Sequence, residues 1–434
     1  MRACRVCLPL CALLAGVLLY GQSEETFNSN QRINRIRDLG KKDPRVIPTL
    51  AENLSDPNRD IRIEAVKAIV KLDTEASLAP LVKATHDNDP EVQIRATDGI
   101  VNYYVPGYVA KGSLTGPLTR GVRQVKAFFG VRNDQVIDPD VPVRPDVQDA
   151  IAAEVRGGAS DDARANAARA AGILRDRTAV PMLEDALHVR DSEQIIECLI
   201  ALQKIHDPSA GAKVASSAND LDERVQTTAL ETLGVLHCLT CAPDVRTALS
   251  NGRNARVRRA ALETLAMLAI PGDRTVFQQY ARDQDADLRA SALEGLGRIR
   301  EPEDFPALEA AYNEKDADWK VHLAAAFAMV DQGKVDTGEF SPLSYLWESV
   351  ETKARASAAQ TYLDELARRD DVRQALFTLA PNSTKNQKVA LCAILANSRA
   401  PDAIPTLNTL SKDIDSDVSL AAARALRIVQ ARQS

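Results

Sequence analysis

What most limits how this chain can fold is a register that returns about every 31 residues. Taking Leu288 as the reference, the equivalent positions are Ile61, Val92, Ala163, Gln194, Val225, Val257, Trp319, Ala354, Gln387 and Val418. Successive spacings are 31 or 32 residues, apart from one gap of 71 that holds a 40-residue insertion and two gaps of 35 and 33. Self-similarity on this scale marks a repeat architecture, in which no unit buries its apolar face alone and each covers that of its neighbour.

Each column of the repeat has a mechanism. Three residues before the reference stand Asn58, Asp89, Ser160, Asp191, Asp222, Asn254, Asp285, Asp316, Thr384 and Asp415, short side chains that accept hydrogen bonds from the free amides of a helix start; Glu351 is the exception. In Asp89-Pro90-Glu91 a cap, a first-turn proline and an acid at the positive end of the helix dipole occur together. Four residues after the reference the chain favours alanine, as at Ala65, Ala96 and Ala292. Eight after it stand larger apolar residues such as Ile69, Leu233 and Leu296. Offsets of four and eight share one helical face, so these columns point into a core. Ahead of each cap lies a shorter apolar stretch, for example Ile47-Pro48-Thr49-Leu50 or Phe305-Pro306-Ala307-Leu308. Turns such as Asp207-Pro208 and Glu301-Pro302 separate the units. The unit is therefore helix A, tight turn, helix B, tight turn.

The run Asp285 to Gly297, DADLRASALEGLG, together with the Ile-Pro-x-Leu of helix A, resembles the short HEAT-like repeats of the phycobilisome-lyase type over roughly Asp43 to Gln430. The resemblance implies an all-α fold: an α-solenoid, a right-handed superhelix of about eleven HEAT-like helical hairpins, with residues 24–42 as an N-terminal capping half-repeat. Proteins with such repeats include scaffolds, chromophore lyases and a hydroxylase, so the fold alone selects no activity. The hydroxylase pattern implies paired His-Glu steps. Here His86, His188, His206, His237 and His322 are followed by Asp87, Val189, Asp207, Cys238 and Leu323.

Composition agrees with one elongated helical domain: of 434 residues, 45% are hydrophobic and only 4% aromatic. A net charge of −6 argues against a general nucleic-acid binder. At the N-terminus, Arg2 and Arg5 precede an apolar run from Val6 to Tyr20, then Gly21-Gln22-Ser23. That order is expected of a signal peptide over 1–23, which would export the protein to the periplasm or envelope and discard Cys4, Cys7 and Cys11. Kept in place, the same run is an anchor.

Two repeats are expected over 43–101 and nine over 145–434, with the insertion at 102–144 between them. The insertion opens with Tyr103, Tyr104 and Tyr108 and carries Arg120, Arg123 and Lys126 in a stretch with no acid between Asp98 and Asp134. Leu118, Val122, Val125 and Phe129 fall on one face of a short helix. Three readings stay open: an extra helix on the solenoid flank, a contact for a partner protein, and a basic amphipathic contact with a membrane surface through 102–132.

Three further features could carry chemistry. A basic column one residue after the reference (Arg62, Arg164, Arg258, Arg289, Lys320, Arg355, Lys388) reads as a ladder that bonds neighbouring acids. Glu231, Glu263 and Glu294 share one offset in three consecutive helices B, an acidic stripe on the inner face. It is either a solvated face or a docking strip for a basic partner. Cys238 and Cys241 flank Leu239-Thr240 in a turn, and a disulfide staple suits an oxidising compartment better than a metal site, which wants a second pair. Cys198 and Cys392 read as packing residues. The reading as a whole is an exported scaffold that binds protein partners through its concave helix-B face and its insertion, with no catalytic residue, cofactor or metal ligand. The alternatives are a lyase-like enzyme or carrier with a tetrapyrrole-type ligand in the groove, and a DNA-binding solenoid.

Overall fold

A computed structural model describes residues 28–41, 43–109, 136–252 and 254–431. Among them there is no strand, and the chain is an α-solenoid of helical hairpins. One half-repeat, a helix over 28–39, precedes eleven hairpins among the described residues. The first pairs Ile47–Glu52 with Arg59–Leu72, and the last pairs Ile404–Leu410 with Ser416–Ala431. Most helices A open with a single tight turn of 3-10 helix, as at Pro44–Val46, Pro302–Asp304 and Pro401–Ala403. A proline at the first position has no amide to leave unbonded there. The predicted signal segment lies outside the described residues, as do Arg120, Arg123, Lys126, Phe129 and the helix expected around them.

The chain divides into two compact units, 1–137 with 143–205, and 138–142 with 206–434, where the sequence reads as one continuous domain. A repeat array touches only its neighbours, so a boundary between hairpins costs it little. The first unit holds hairpins one to four and the second hairpins five to eleven.

The caps explain where helices B begin. Nine of the ten predicted caps act as expected: Asp89, for example, accepts from the amides of Glu91 at 2.9 Å and Val92 at 3.2 Å, and Thr384 forms a reciprocal capping box with Gln387. One does not, and the ninth hairpin departs in its register. In the eighth hairpin Asp318, not Asp316, caps Trp319–Asp331. In the ninth, helix B runs Ala356–Leu366 and the register is shifted by one: Ala354 is exposed, while Ala359 and Leu363 fill the buried columns. The shift turns Ala358 and Tyr362 away from the core columns assigned to them. Glu351 caps nothing on its own helix and instead accepts bonds from Thr384 and Asn386 of the following hairpin.

Helices B end in a way the sequence hides. Twelve residues after the reference, Asp73, Arg175, His206, His237, Ala269, Arg300 and Arg399 all take positive φ, between 45° and 62°. A residue in this left-handed conformation closes a helix, and glycine normally fills the position because a side chain is strained there. None of the seven is glycine. Ala269→Gly is therefore expected to stabilise the protein by about 0.5–1 kcal/mol, read as a rise in thermal midpoint.

Glycine appears instead where helices B touch. A Cβ on Gly297 would stand 2.6 Å from the Ala328 Cα of the next helix B, and one on Gly172 would stand 2.7 Å from the Ala201 Cα. Both sit nine residues after the reference. Gly297→Val should cost about 1–3 kcal/mol through overpacking, whereas Gly272→Ala, which meets nothing, should be nearly silent in the same melting experiment.

Ion pairs tie successive hairpins together. From the basic column, Arg62 holds Asp87 at 2.7 Å, Lys388 holds Asp413 at 2.8 Å, and Arg289 and Lys320 pair with Glu314 and Asp287. Arg164 bonds the Gly158 carbonyl at 2.7 Å, and Arg355 donates to the Tyr345 hydroxyl. A second ladder joins helices A: Arg246 to Asp273 and Arg274 to Asp304, each acid almost fully buried. Surface pairs add little one by one. Removing an arginine that faces a buried aspartate costs more, because it strands the charge.

Candidate functional site

Five consecutive helices B of the second unit wall a groove: Glu223–Val235, Ala255–Leu268, Ala286–Ile299, Trp319–Asp331 and Ala356–Leu366. Two adjoining clefts in it, of about 450 and 610 Å³, share Glu263, Glu294, Ala358 and Tyr362. Trp319 and Leu323 give the first cleft an apolar end. Met267 and the Arg368 side chain line the second.

The three predicted glutamates all reach this groove, but they are not equivalent. Glu294 is engaged: it accepts from the Tyr362 hydroxyl and, at 3.0 Å, from Arg298. Arg298 also grips Glu365 through two bonds of 2.8 Å and lies over the Phe327 ring at 4.7 Å. Phe327 in turn stacks on Tyr362, with ring centres 4.7 Å apart. Burial works to lower the pKa of the Arg298 guanidinium, but Glu365 and Glu294 more than offset it, so Arg298 stays charged. Tyr362 is held far above its ordinary pKa by burial and the neighbouring Glu294.

Glu231 and Glu263 differ from Glu294 in this respect. Neither makes a hydrogen bond or ion pair among the described residues. Both side chains meet water in the groove, yet protein crowds them on every other side. Solvent access governs whether a ligand can reach them; the crowding governs how poorly their charge is hydrated. That desolvation raises the pKa of Glu231, and desolvation together with Glu294 and Glu231 pushes Glu263 up to about 7.

The sequence missed four partners that complete this wall. Arg298, Glu365 and Tyr362 are brought together across about 67 residues of chain, and Trp319 sits at the first position of its helix rather than in the core. The one-residue shift of the ninth hairpin hid Tyr362, because the apparent register placed it inside.

In the first unit the tyrosines before the insertion lie elsewhere than expected. Tyr103 and Tyr104 form the last turn of Pro90–Tyr104, so the second hairpin continues past residue 101, and their rings meet edge to face at 5.1 Å. The Tyr104 hydroxyl accepts from the Arg144 amide at 3.2 Å, and Tyr108 is half-buried. Nearby, Arg169 pairs with the buried Glu197 at 2.6 Å. Glu154 is buried on helix A of the third hairpin, with one carboxyl oxygen bonded to the Thr97 hydroxyl at 2.5 Å and the other unpaired. Desolvation pushes its pKa up to about 8.

Cys238 and Cys241 are joined as a disulfide with Cα atoms 5.4 Å apart, in the turn that links the fifth and sixth hairpins. Gly211 packs against it: a Cβ there would meet the Cys238 sulfur at 2.8 Å. Cys198 and Cys392 are buried free thiols whose pKa burial raises, that of Cys392 to about 12. Treating the native protein with iodoacetamide should therefore label no cysteine among the described residues, and the non-reduced peptide holding Cys238 and Cys241 should be lighter by the two hydrogens a disulfide lacks. Reduction should lower stability by no more than about 2 kcal/mol, as suits so short a loop. Among the described residues no group of three or more His, Cys, Asp or Glu side chains could hold a metal ion.

A family model of HEAT repeats matches residues 23–100 and 242–330, the second stretch covering the middle of the groove. No curated protein matches the sequence. Among solved structures, the complex of CpcE and CpcF of phycocyanin lyase from Nostoc sp. PCC7120 aligns with 67% of this chain and 94% of its own, at 20% identity and a TM-score of 0.36. Human deoxyhypusine hydroxylase aligns with 58% of this chain and 96% of its own, at 17% identity and a TM-score of 0.29. Importin beta aligns with 89% of this chain and 57% of its own, at 13% identity and a TM-score of 0.39.

Proposed function

We propose that this chain, a HEAT-repeat protein, is an exported scaffold that docks protein partners in the helix-B groove of its second unit and holds them without transforming them. One observation carries the reading. Five successive helices present side chains to one continuous groove, and two of its carboxylates make no hydrogen bond or ion pair among the described residues. A solvent-exposed carboxylate without an internal partner is open to a charge-assisted hydrogen bond from another molecule. The helices that carry these groups are fixed by their caps and by glycine contacts, so the groove is preorganised and a partner loses little free energy in ordering it. The part of the insertion that opens with Tyr103, Tyr104 and Tyr108 is proposed as a second contact. Export rests on Arg2, Arg5 and the apolar run from Val6 to Tyr20.

The test is retention of native partners on immobilised protein. Glu231→Lys combined with Glu263→Lys should abolish retention, whereas Glu309→Lys, an exposed change on helix A of the eighth hairpin, should leave it intact. Equal retention by both variants would reject the groove. Sequencing the N-terminus of the protein from an envelope fraction tests export: a start after residue 21 or 23 supports it, and an intact Met1 in the cytosol overturns it.

A further inference from the structure

We infer that the occupant of this groove is a basic segment of the partner protein, which lays a lysine or arginine between Glu231 and Glu263 and an apolar side chain against Trp319 and Tyr362. This deepens the docking reading above and rests on it. The groove holds two carboxylates that no side chain among the described residues bonds. Every cation of the first cleft already has an acid: Arg259 pairs with Asp285 and Asp287, Lys320 with Asp287, and Arg256 stands 4.0 Å from Glu223. In the second cleft Arg298 is committed to Glu294 and Glu365, and Arg368 lies beside Asp364. Among the described residues Glu231 and Glu263 are the lining carboxylates that make no hydrogen bond or ion pair, on adjacent helices, facing the same cleft, and the one cation acting on Glu263, Arg298, is already held by Glu294 and Glu365.

The surroundings fit an ammonium or guanidinium on an apolar stem. Trp319 and Leu323 stand at one end of that cleft and Ala260 and Ala290 on its floor. Lysine and arginine bury their stems against such surfaces and keep the charged head for an acid. The Lys320 ammonium already lies over the Trp319 ring, 5.9 Å from its centre, which leaves the indole to an apolar side chain of the partner. A peptide brings several such side chains in line, matching carboxylates repeated on successive helices, which a single small cation does not.

The same site implies a dependence on pH. Desolvation raises Glu231, and desolvation with repulsion from Glu294 and Glu231 raises Glu263 to about 7, so part of the charge is absent just below neutrality. Glu294, Glu365 and Asp287 are held by Arg298, Arg259 and Lys320, and Tyr362 stays protonated throughout. His206 and His237 line the adjoining cleft. A basic segment therefore binds more tightly as pH rises from 6 to 8.

The experiment uses the full chain and a short fluorescein-labelled peptide of repeated Lys-Leu-Ala, followed by fluorescence anisotropy, with a Glu-Leu-Ala peptide as the inverse. The lysine peptide should bind at least about tenfold tighter than its inverse, and about tenfold tighter at pH 8 than at pH 6, one unit of pKa being a factor of ten. Glu231→Gln with Glu263→Gln should weaken it about tenfold and flatten the pH dependence, with helical content unchanged by circular dichroism. Equal binding of the two peptides, or no effect of the double variant, overturns the inference. Selection from a random peptide library separates this failure from that of the docking reading. Peptides that need the groove but show no enrichment in lysine or arginine leave docking intact and sink the basic segment. If no selected peptide depends on the groove, both fall.

Discussion

Replacing Arg298 with alanine is expected to destabilise the second unit by about 3–5 kcal/mol at neutral pH, the range for breaking a buried ion pair from one side. Arg298 is nearly buried, and it alone answers both Glu294 and Glu365. Its loss strands two carboxylates in a groove that already holds Glu231 and Glu263. It also removes the plane that covers Phe327 and, through it, the stack on Tyr362. Urea unfolding followed by Trp347, which is buried in the ninth hairpin, reads this unit directly once Trp319→Phe has removed the other tryptophan. The sign with pH follows from the stranded acids. The deficit comes from negative charge left without a counter-charge, so acid, which neutralises carboxylates, should relieve it. The deficit should therefore shrink towards pH 5. Adding Glu294→Gln and Glu365→Gln should restore most of it, because the cost is the uncompensated charge rather than the missing side chain.

Glu154→Gln should have the opposite character: little effect in acid and a stabilising one in alkali. In the wild type, burial holds Glu154 at a pKa of about 8, against an ordinary value of 4.5. A carboxyl whose folded pKa is raised favours the folded state while it is protonated. Its contribution is full below pH 4.5 and is lost progressively as pH climbs to about 8. At ~1.4 kcal/mol per unit the full swing is on the order of 3–5 kcal/mol. Glutamine keeps an acceptor for the Thr97 hydroxyl and never ionises. The urea midpoints of the two proteins should thus coincide near pH 4 and separate steadily to pH 9, with the variant the more stable. Parallel curves across that range would mean that Glu154 is ionised in the folded protein.

The architecture was legible because its signals are local and repeated. A cap, an alanine four residues on and a larger apolar residue eight on recur at one spacing, and Asp285, Ala292 and Leu296 occupy in the structure the places that periodicity assigns them. The ninth hairpin was misread where the spacing changes, since the sequence offers Ala358 and Tyr362 as credibly as Ala359 and Leu363, and only packing decides between them. The left-handed closures were invisible because arginine, histidine and alanine stand where a glycine would have announced them. Of the groove, the glutamate stripe could be read from its common offset. That Glu294 is bound and Glu263 is not could not, because Arg298 meets Glu365 some 67 residues away. Such a contact depends on how successive helices stack, and no local pattern encodes it.

The groove as the place of docking is tested most directly by site-specific photocrosslinking. A benzoylphenylalanine placed at Thr361, exposed on the groove wall, is compared with one at Thr247, exposed on helix A of the sixth hairpin. Illumination in a native cell extract should join a defined partner to position 361 and not to position 247, and the Lys-Leu-Ala peptide should suppress that product. Crosslinks from 247 alone, or equal yields from both positions, would place the partner elsewhere on the protein and contradict the account.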